Sequence, residues 1–238
     1  MSETLGFIKD RAVKTISAAK QLSATWTWQT KTPEQMQADL WAITGNSSVT
    51  PPIIGQEEIA SAAQRTRGAA HGTWVAQMAE LHRRTVQAVG MLKNKLQGDP
   101  AAFAVVSNLS ASSGSRKETL DEALALESAW TNQAPTWSAT TINTLPAFVA
   151  LRKLCTEDLQ TTFSDSHTAW RTEVTTLNAM ANAVEQSDEA WYLDATKVFP
   201  AGTPEGDMIR STIPTTYTPP ATPTPPAPVP PVTGTPTP

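Results

Sequence analysis

The chain has 238 residues, of which 39% are hydrophobic and 17% charged, and its formal net charge is -4. A mildly acidic chain is not expected to bind nucleic acid in general, because such binding needs a basic surface that neutralises phosphates. Cys155 is the only cysteine, so one chain can form neither an internal disulfide nor a multi-cysteine zinc site.

Charge is unevenly distributed along the sequence. Residues 1–31 carry five basic and two acidic side chains, whereas residues 115–198 carry twelve acidic and six basic ones. Segments of opposite charge attract each other, either within one fold or between subunits. Charged residues also interrupt the apolar positions near the N-terminus, which is unlike a signal peptide, and no window resembles a membrane span. We expect a soluble, cytoplasmic protein, with export by an unconventional route left open.

The first half of the chain predicts three helices in succession. The first covers residues 3–24, with one apolar face that includes Ile8 and Ile16. A capping residue followed by Pro33, with Gly45 as the stop, predicts a second helix over 33–44. A third helix is predicted over 57–97, because prolines precede it and a Gly-x-Pro segment follows it. Gly68 and Gly72 mark the point at which this helix could break.

The second half predicts four further helices. Residues 101–112 form a short one, and Ser115 with Glu118 forms a capping box that opens a helix ending near residue 132. A long helix starts near Thr144, because no Gly or Pro occurs between residues 147 and 199. A short helix follows Thr203, a capping residue in front of Pro204.

An apolar residue recurs at every seventh position of the long helix: Phe163, Trp170, Leu177, Val184, Trp191 and Val198. Such a repeat keeps one seam of a helix against a partner. At 1.5 Å per residue the two long helices would measure about 60 Å and about 80 Å, and neither can bury its apolar stripe alone. The sequence predicts an all-α, elongated helical bundle over residues 1–212, in which the two long helices pack antiparallel in a coiled-coil-like manner.

The C-terminal segment has a different composition. Residues 213–238 contain eleven prolines and no charged residue, which predicts a disordered tail or polyproline II helix. Overlapping Pro-x-x-Pro spacings could bind an SH3-like or WW-like module, but a stiff spacer is the simpler interpretation. The candidate interaction residues of this tail are Pro220, Pro223, Pro226, Pro228 and Pro231.

Eight tryptophans are many for a chain with two tyrosines. Trp74, Trp170 and Trp191 lie on helical stripes and are predicted to be core residues. Trp26 and Trp28 lie just beyond the first helix, where they could dock a partner or a membrane surface. Burial at the end of a bundle is the simpler interpretation for this pair as well.

Two segments of the chain resemble each other at an offset of 96 residues. His71, Trp74 and Leu81 match His167, Trp170 and Leu177, and a second group of matches links residues 37–44 with residues 133–140. Chance similarity between amphipathic helices is a simpler explanation than a duplication. The chain has no Glu-x-x-His spacing, so we interpret its three histidines as polar seam or surface residues and expect no metal site.

The sequence contains no recognisable phosphate loop, nucleophile elbow or catalytic carboxylate pair. We therefore expect no catalytic residue and no cofactor, and predict a non-catalytic structural or protein-interaction protein with a scaffold or assembly role. Its expected partners are further copies of itself or another protein. The alternative is a membrane-associated or pore-forming protein that uses the amphipathic N-terminal helix and the tryptophan clusters.

Overall fold

The computed structural model describes residues 3–111 and 115–213. These residues form α-helices joined by short connections, and no β-strand occurs among them, so the all-α prediction is confirmed. The helices are α1 (Glu3–Leu22), α2 (Pro33–Thr44), α3 (Gln56–Leu96), α4 (Pro100–Ser107), α5 (Arg116–Gln133), α6 (Leu145–Lys153), α7 (Leu159–Val198) and α8 (Pro204–Arg210).

Local capping chemistry explains where several helices begin. Ser115 and Glu118 form the predicted capping box at the start of α5, in which each side chain bonds the other residue's backbone N–H. The Thr144 side chain accepts a hydrogen bond from Ala147 N at the start of α6, and Thr203 caps α8 in the same way. These caps satisfy backbone donors that have no partner inside a helix.

Two glycines shape the connection between α2 and α3. Gly45 ends α2 with φ +78°, a left-handed conformation that residues with a side chain rarely adopt. Gly55 then passes so close to this turn that an added Cβ would collide with the Gly45 backbone nitrogen. The connection is therefore a tight backbone-to-backbone contact, which positions the start of α3.

Helix α3 runs unbroken for 41 residues, so the possible break at Gly68 and Gly72 does not occur. The predicted long C-terminal helix does contain an irregularity. Between α6 and α7 lies a single π-helical turn, Leu154–Asp158, in which Leu159 N bonds Leu154 O. A π turn inserts one extra residue into an α-helix, and it shifts the face that the following residues present.

The described residues divide into two compact units. The first comprises the residues up to Pro33 together with those from Ser187 onward. Its buried side chains come from α1, the connection that follows α1, the last turns of α7, and α8, and they include Ile8, Ile16, Trp28, Trp191 and Ile209. The apolar face predicted for the first helix is therefore the face that this unit buries.

The second unit comprises Glu34–Gln186. Its hydrophobic core lies where α3, α4, α5 and α6 meet, and the largest fully buried side chains there are Trp130, Phe148, Leu81, Leu92 and Leu126. Trp130 also donates a hydrogen bond through Nε1 to the Trp137 carbonyl oxygen at 3.0 Å, which satisfies the polar atom of its ring. The predicted boundary at residue 212 stays a prediction.

Candidate functional site

Seven side chains of the second unit form a continuous stack of cationic and aromatic groups, which we name the cation–aromatic column. Helices α3 and α7 each contribute three of them at the same spacing, and the N-terminus of α5 contributes the seventh. The column consists of Arg67, His71, Trp74, Phe163, His167, Trp170 and Arg116.

Aromatic rings form the middle of the column. Phe163 stacks on Trp74 with the ring centroids 5.5 Å apart, and it also contacts His71 at 5.2 Å. Phe163 also stacks on His167 at 6.0 Å, and His167 contacts Trp170 at 5.6 Å. These separations lie within the range of attractive aromatic pairs.

A guanidinium group covers each end of the column. The Arg67 Cζ lies 4.6 Å from the centre of the Trp170 ring, and the Arg116 Cζ lies 4.5 Å from that of Trp74. Both distances are typical of cation–π contacts. Arg116 Nη2 also lies 3.0 Å from His71 Nε2. Because a guanidinium only donates, His71 Nε2 is the acceptor of this hydrogen bond.

The column is linked to the π-helical turn through Trp74. Trp74 is 9% exposed, and its Nε1 donates a hydrogen bond to the Cys155 carbonyl oxygen at 3.1 Å. Cys155 itself is buried, and burial raises the pKa of its thiol, so the thiol stays protonated at neutral pH. Cys155 packs in the hydrophobic core of the second unit.

The Trp170 end of the column contains buried polar atoms that lack partners. Arg67 Nε, His167 Nδ1 and Trp170 Nε1 are all buried without a hydrogen-bond partner in the described residues. Glu173, one helical turn beyond Trp170, is already bonded, since its Oε2 accepts from Gln56 Nε2 at 2.6 Å. Buried polar groups in proteins are nearly always hydrogen-bonded, so these three neighbouring atoms make the Trp170 end a candidate binding site.

The tryptophans predicted as interaction candidates lie in the first unit. Trp28 is 8% exposed, and its Nε1 donates to Asp194 Oδ2 at 3.0 Å. A hydrogen bond from Lys197 lowers the pKa of the Asp194 carboxyl, and the hydrogen bond from Trp28 lowers it further. Trp26 is half-buried and contacts Trp191 at 6.4 Å between ring centroids. The cleft beside this pair has about 20 Å³ of free space, which holds no more than a water molecule.

The other sequence-based candidates have different outcomes. Pro220, Pro223, Pro226, Pro228 and Pro231 lie outside the described residues. Trp74 and Trp191 are buried as predicted, whereas Trp170 is half-buried because the α7 seam meets Arg67 there instead of an apolar residue.

The sequence analysis related His71 to His167 only through the offset of 96 residues, and it did not identify Arg67 or Arg116 as site residues. The repeated spacing 67, 71, 74 and 163, 167, 170 was the available signal, because the offset of 96 residues relates the two triplets. In the structure, the first member of each triplet packs on the tryptophan of the other.

Residues 3–111 and 115–213 contain no group of three or more His, Cys, Asp or Glu side chains arranged to hold a metal ion. Across the same residues, no helix is both long enough and apolar enough to cross a membrane. No family model, no curated protein and no solved structure matches this chain.

Proposed function

We propose that this protein is a non-catalytic interaction protein with a scaffold or assembly role, and that the cation–aromatic column is its recognition site. The observation that carries the proposal is the half-buried Trp170 end of the column, where Arg67 Nε and Trp170 Nε1 are buried donors without partners. Arg and Trp are the residues most enriched at the energetic centres of protein interfaces. Their combination here supplies groups suited to binding.

We further propose that α3 and α7 run antiparallel beside each other in the second unit. The order of the contacts supports this arrangement. Gln56 bonds Glu173, Arg67 covers Trp170 and Trp74 stacks on Phe163, so the residue numbers on α7 fall as those on α3 rise. Antiparallel pairing places the two related triplets opposite each other, which is why each tryptophan meets the first member of the other triplet.

Light scattering coupled to size-exclusion chromatography tests the assembly role. At low ionic strength we expect a mass above that of the monomer, and we expect that mass to fall as salt screens charged contacts. The double variant Arg67→Gln/Arg116→Gln should be monomeric. Arg65→Gln/Lys95→Gln is the matched control, because it removes the same charge from exposed positions of α3 outside the column.

Two outcomes would contradict the proposal. One is a wild-type protein that remains monomeric at high concentration and low salt. The other is equal loss of mass in the column variant and in the control, which would assign the association to general charge. Surface variants are preferable to deletion of α1, since α1 supplies buried residues such as Ile8 and Ile16 to the first unit.

The membrane-associated or pore-forming alternative has less support. The apolar face of α1 and the Trp28 ring, which that alternative would place in lipid, are buried within the first unit. Flotation with anionic vesicles tests it directly. Co-flotation of the folded wild-type protein, lost on replacing exposed lysines of α1 such as Lys14, would favour the membrane alternative over the scaffold role.

A further inference from the structure

The two tryptophans of the column have related positions but different hydrogen bonding. Trp74 and Trp170 each follow a histidine by three residues, and a guanidinium covers one face of each ring. Trp74 Nε1 donates to the Cys155 carbonyl oxygen, whereas Trp170 Nε1 is buried without a partner in the described residues. The chain thus satisfies one indole with an oxygen acceptor of its own and leaves the other unsatisfied.

The chemistry of the unpartnered atoms identifies what is missing. Trp170 Nε1–H and Arg67 Nε–H can only donate, so the complementary group must supply oxygen acceptors. A donor buried without a partner loses its hydration and gains nothing in return, which leaves a driving force for a ligand that restores the bonds. At the Trp74 end this acceptor is a neutral carbonyl. At the Trp170 end, Arg67 adds a positive charge that favours an anion.

We infer that the Trp170 end of the column is a binding subsite for a carboxylate carried by an acidic segment of another protein chain. A carboxylate oxygen can accept a charge-assisted hydrogen bond from Arg67 Nε–H, and it can also accept one from Trp170 Nε1–H. The inference rests on the proposed function, since it names the chemistry of the partner. Residues 214–238 contain no Asp or Glu, so this tail supplies no acidic side chain for the subsite.

Charged groups of both signs surround the subsite. On α3 the facing groups are Arg67 and His71, and on α7 they are His167 and Glu173. Arg116 bonds His71 from α5. Glu173 lies one turn from Trp170, and its negative charge offsets part of the attraction that Arg67 exerts on an anion.

Proton–nitrogen correlation spectra of the full chain test the subsite. Each of the eight tryptophans contributes one indole N–H signal, and the spectrum of Trp170→Phe identifies that of Trp170. Sodium acetate and a capped tetraglutamate peptide are the two probes, with sodium chloride at matched ionic strength as the blank. We expect both probes to shift the Trp170 signal in a saturable manner and to leave the Trp74 signal in place. Binding of the peptide but not acetate would also support the inference, because an acidic segment brings additional contacts.

Two variants make the test specific to Arg67. Arg67→Gln should weaken peptide binding by about tenfold or more, because it removes a charged hydrogen-bond donor. Arg67→Lys should also weaken it, since lysine keeps the charge but lacks the Nε–H. Arg65→Gln, at an exposed position of the same helix, should leave the affinity unchanged. Circular dichroism of each variant confirms that the helices remain folded.

The inference is overturned if neither probe shifts the Trp170 signal more than sodium chloride does, or if Arg67→Gln binds the peptide as tightly as wild type. An equal response to inorganic phosphate would show that the subsite accepts any oxyanion and would overturn the assignment to a carboxylate. These outcomes are independent of the mass measurement. A monomeric protein whose Trp170 signal responds would refute self-assembly alone, and a monomeric protein with a silent Trp170 would refute the subsite as well.

Discussion

At the scale of single residues, the two tryptophans of the α7 seam differ in how completely they are buried. Trp191 is 1% exposed in the first unit, whereas Trp170 is half-buried in the second and has a guanidinium on one face. Both positions belong to the same seven-residue repeat, so the sequence pattern does not distinguish them. The difference in burial comes from the side chains that contact each ring.

This difference predicts unequal costs of truncation. Trp191→Ala should lower the free energy of unfolding by about 3–5 kcal/mol, because it leaves a cavity in a packed core. Trp170→Ala should cost less, since solvent already reaches its ring. Chemical denaturation of both variants measures the comparison. Equal costs would mean that Trp170 is as fully enclosed in solution as Trp191.

Glu80 provides a residue-scale prediction about pH. Hydrogen bonds from Arg83 and Arg84 lower the pKa of the Glu80 carboxyl to about 2. A lowered pKa in the folded state means that the ionised carboxylate stabilises the fold at neutral pH. That contribution begins to fall as the pH drops below the ordinary value of 4.5 and is gone below about 2.

Glu80→Gln should therefore destabilise the protein at pH 7 by less than about 1 kcal/mol, because these pairs are partly solvated. The difference between variant and wild type should shrink as the pH falls from 4.5 towards 2. Denaturation curves across this range are the measurement. A difference that stayed constant with pH would show that loss of the charge is not the cause.

At the scale of elements, α3 contains glycines at exposed positions where no close contact requires a residue without a side chain. Gly68, Gly72 and Gly90 are exposed, and a Cβ added at any of them would meet nothing within 4 Å. Each glycine costs a helix interior about 1 kcal/mol relative to alanine. No contact within the described residues compensates for this cost.

Replacing Gly68 or Gly72 with alanine should accordingly raise the free energy of unfolding by about 0.5–1 kcal/mol per site. Gly55→Ala is the opposing control. It should destabilise the protein strongly, because its Cβ would collide with the Gly45 backbone. Thermal melting of the three variants provides the comparison. A loss of stability in Gly68→Ala or Gly72→Ala would show that the exposed face of α3 is covered in solution.

At the scale of the whole molecule, the C-terminal segment is predicted to be separable from the folded part. Eleven prolines and no charged residue in 213–238 cannot form a hydrophobic core. Deleting residues 214–238 should therefore leave the helical circular dichroism signal and the melting temperature unchanged. Loss of helicity in the truncated chain would place that segment inside the fold.

The elongated shape and the coiled-coil packing stay predictions for the whole molecule. Small-angle scattering of the full chain measures the radius of gyration, and a value expected of a compact globule of 238 residues would contradict the elongated shape. A larger radius of gyration would agree with long helices that each bury only one apolar stripe.

The sequence alone determined most helix boundaries, because these depend on local chemistry. The α3 range of Gln56–Leu96 lies within one residue of the predicted 57–97, and Ser115, Thr144 and Thr203 cap the helices that their types predicted. Capping and helix termination involve residues within one turn of each other, so the information is contained in a short segment. The seven-residue repeat likewise predicted the burial of Leu177, Val184 and Trp191, but Val198 of the same repeat is 48% exposed.

Only the tertiary structure decided which helix faces meet, and the candidate site depends on that. Arg116 reaches His71 across 45 residues of sequence, and Arg67 covers Trp170 from a different helix. The π-helical turn at Leu154–Asp158 follows no local signal, yet its Cys155 carbonyl is the acceptor that satisfies Trp74 and leaves Trp170 as the unpartnered ring. Contacts of this kind depend on long-range packing. Many apolar helix faces have similar composition, so a local sequence pattern does not specify which two faces pack against each other.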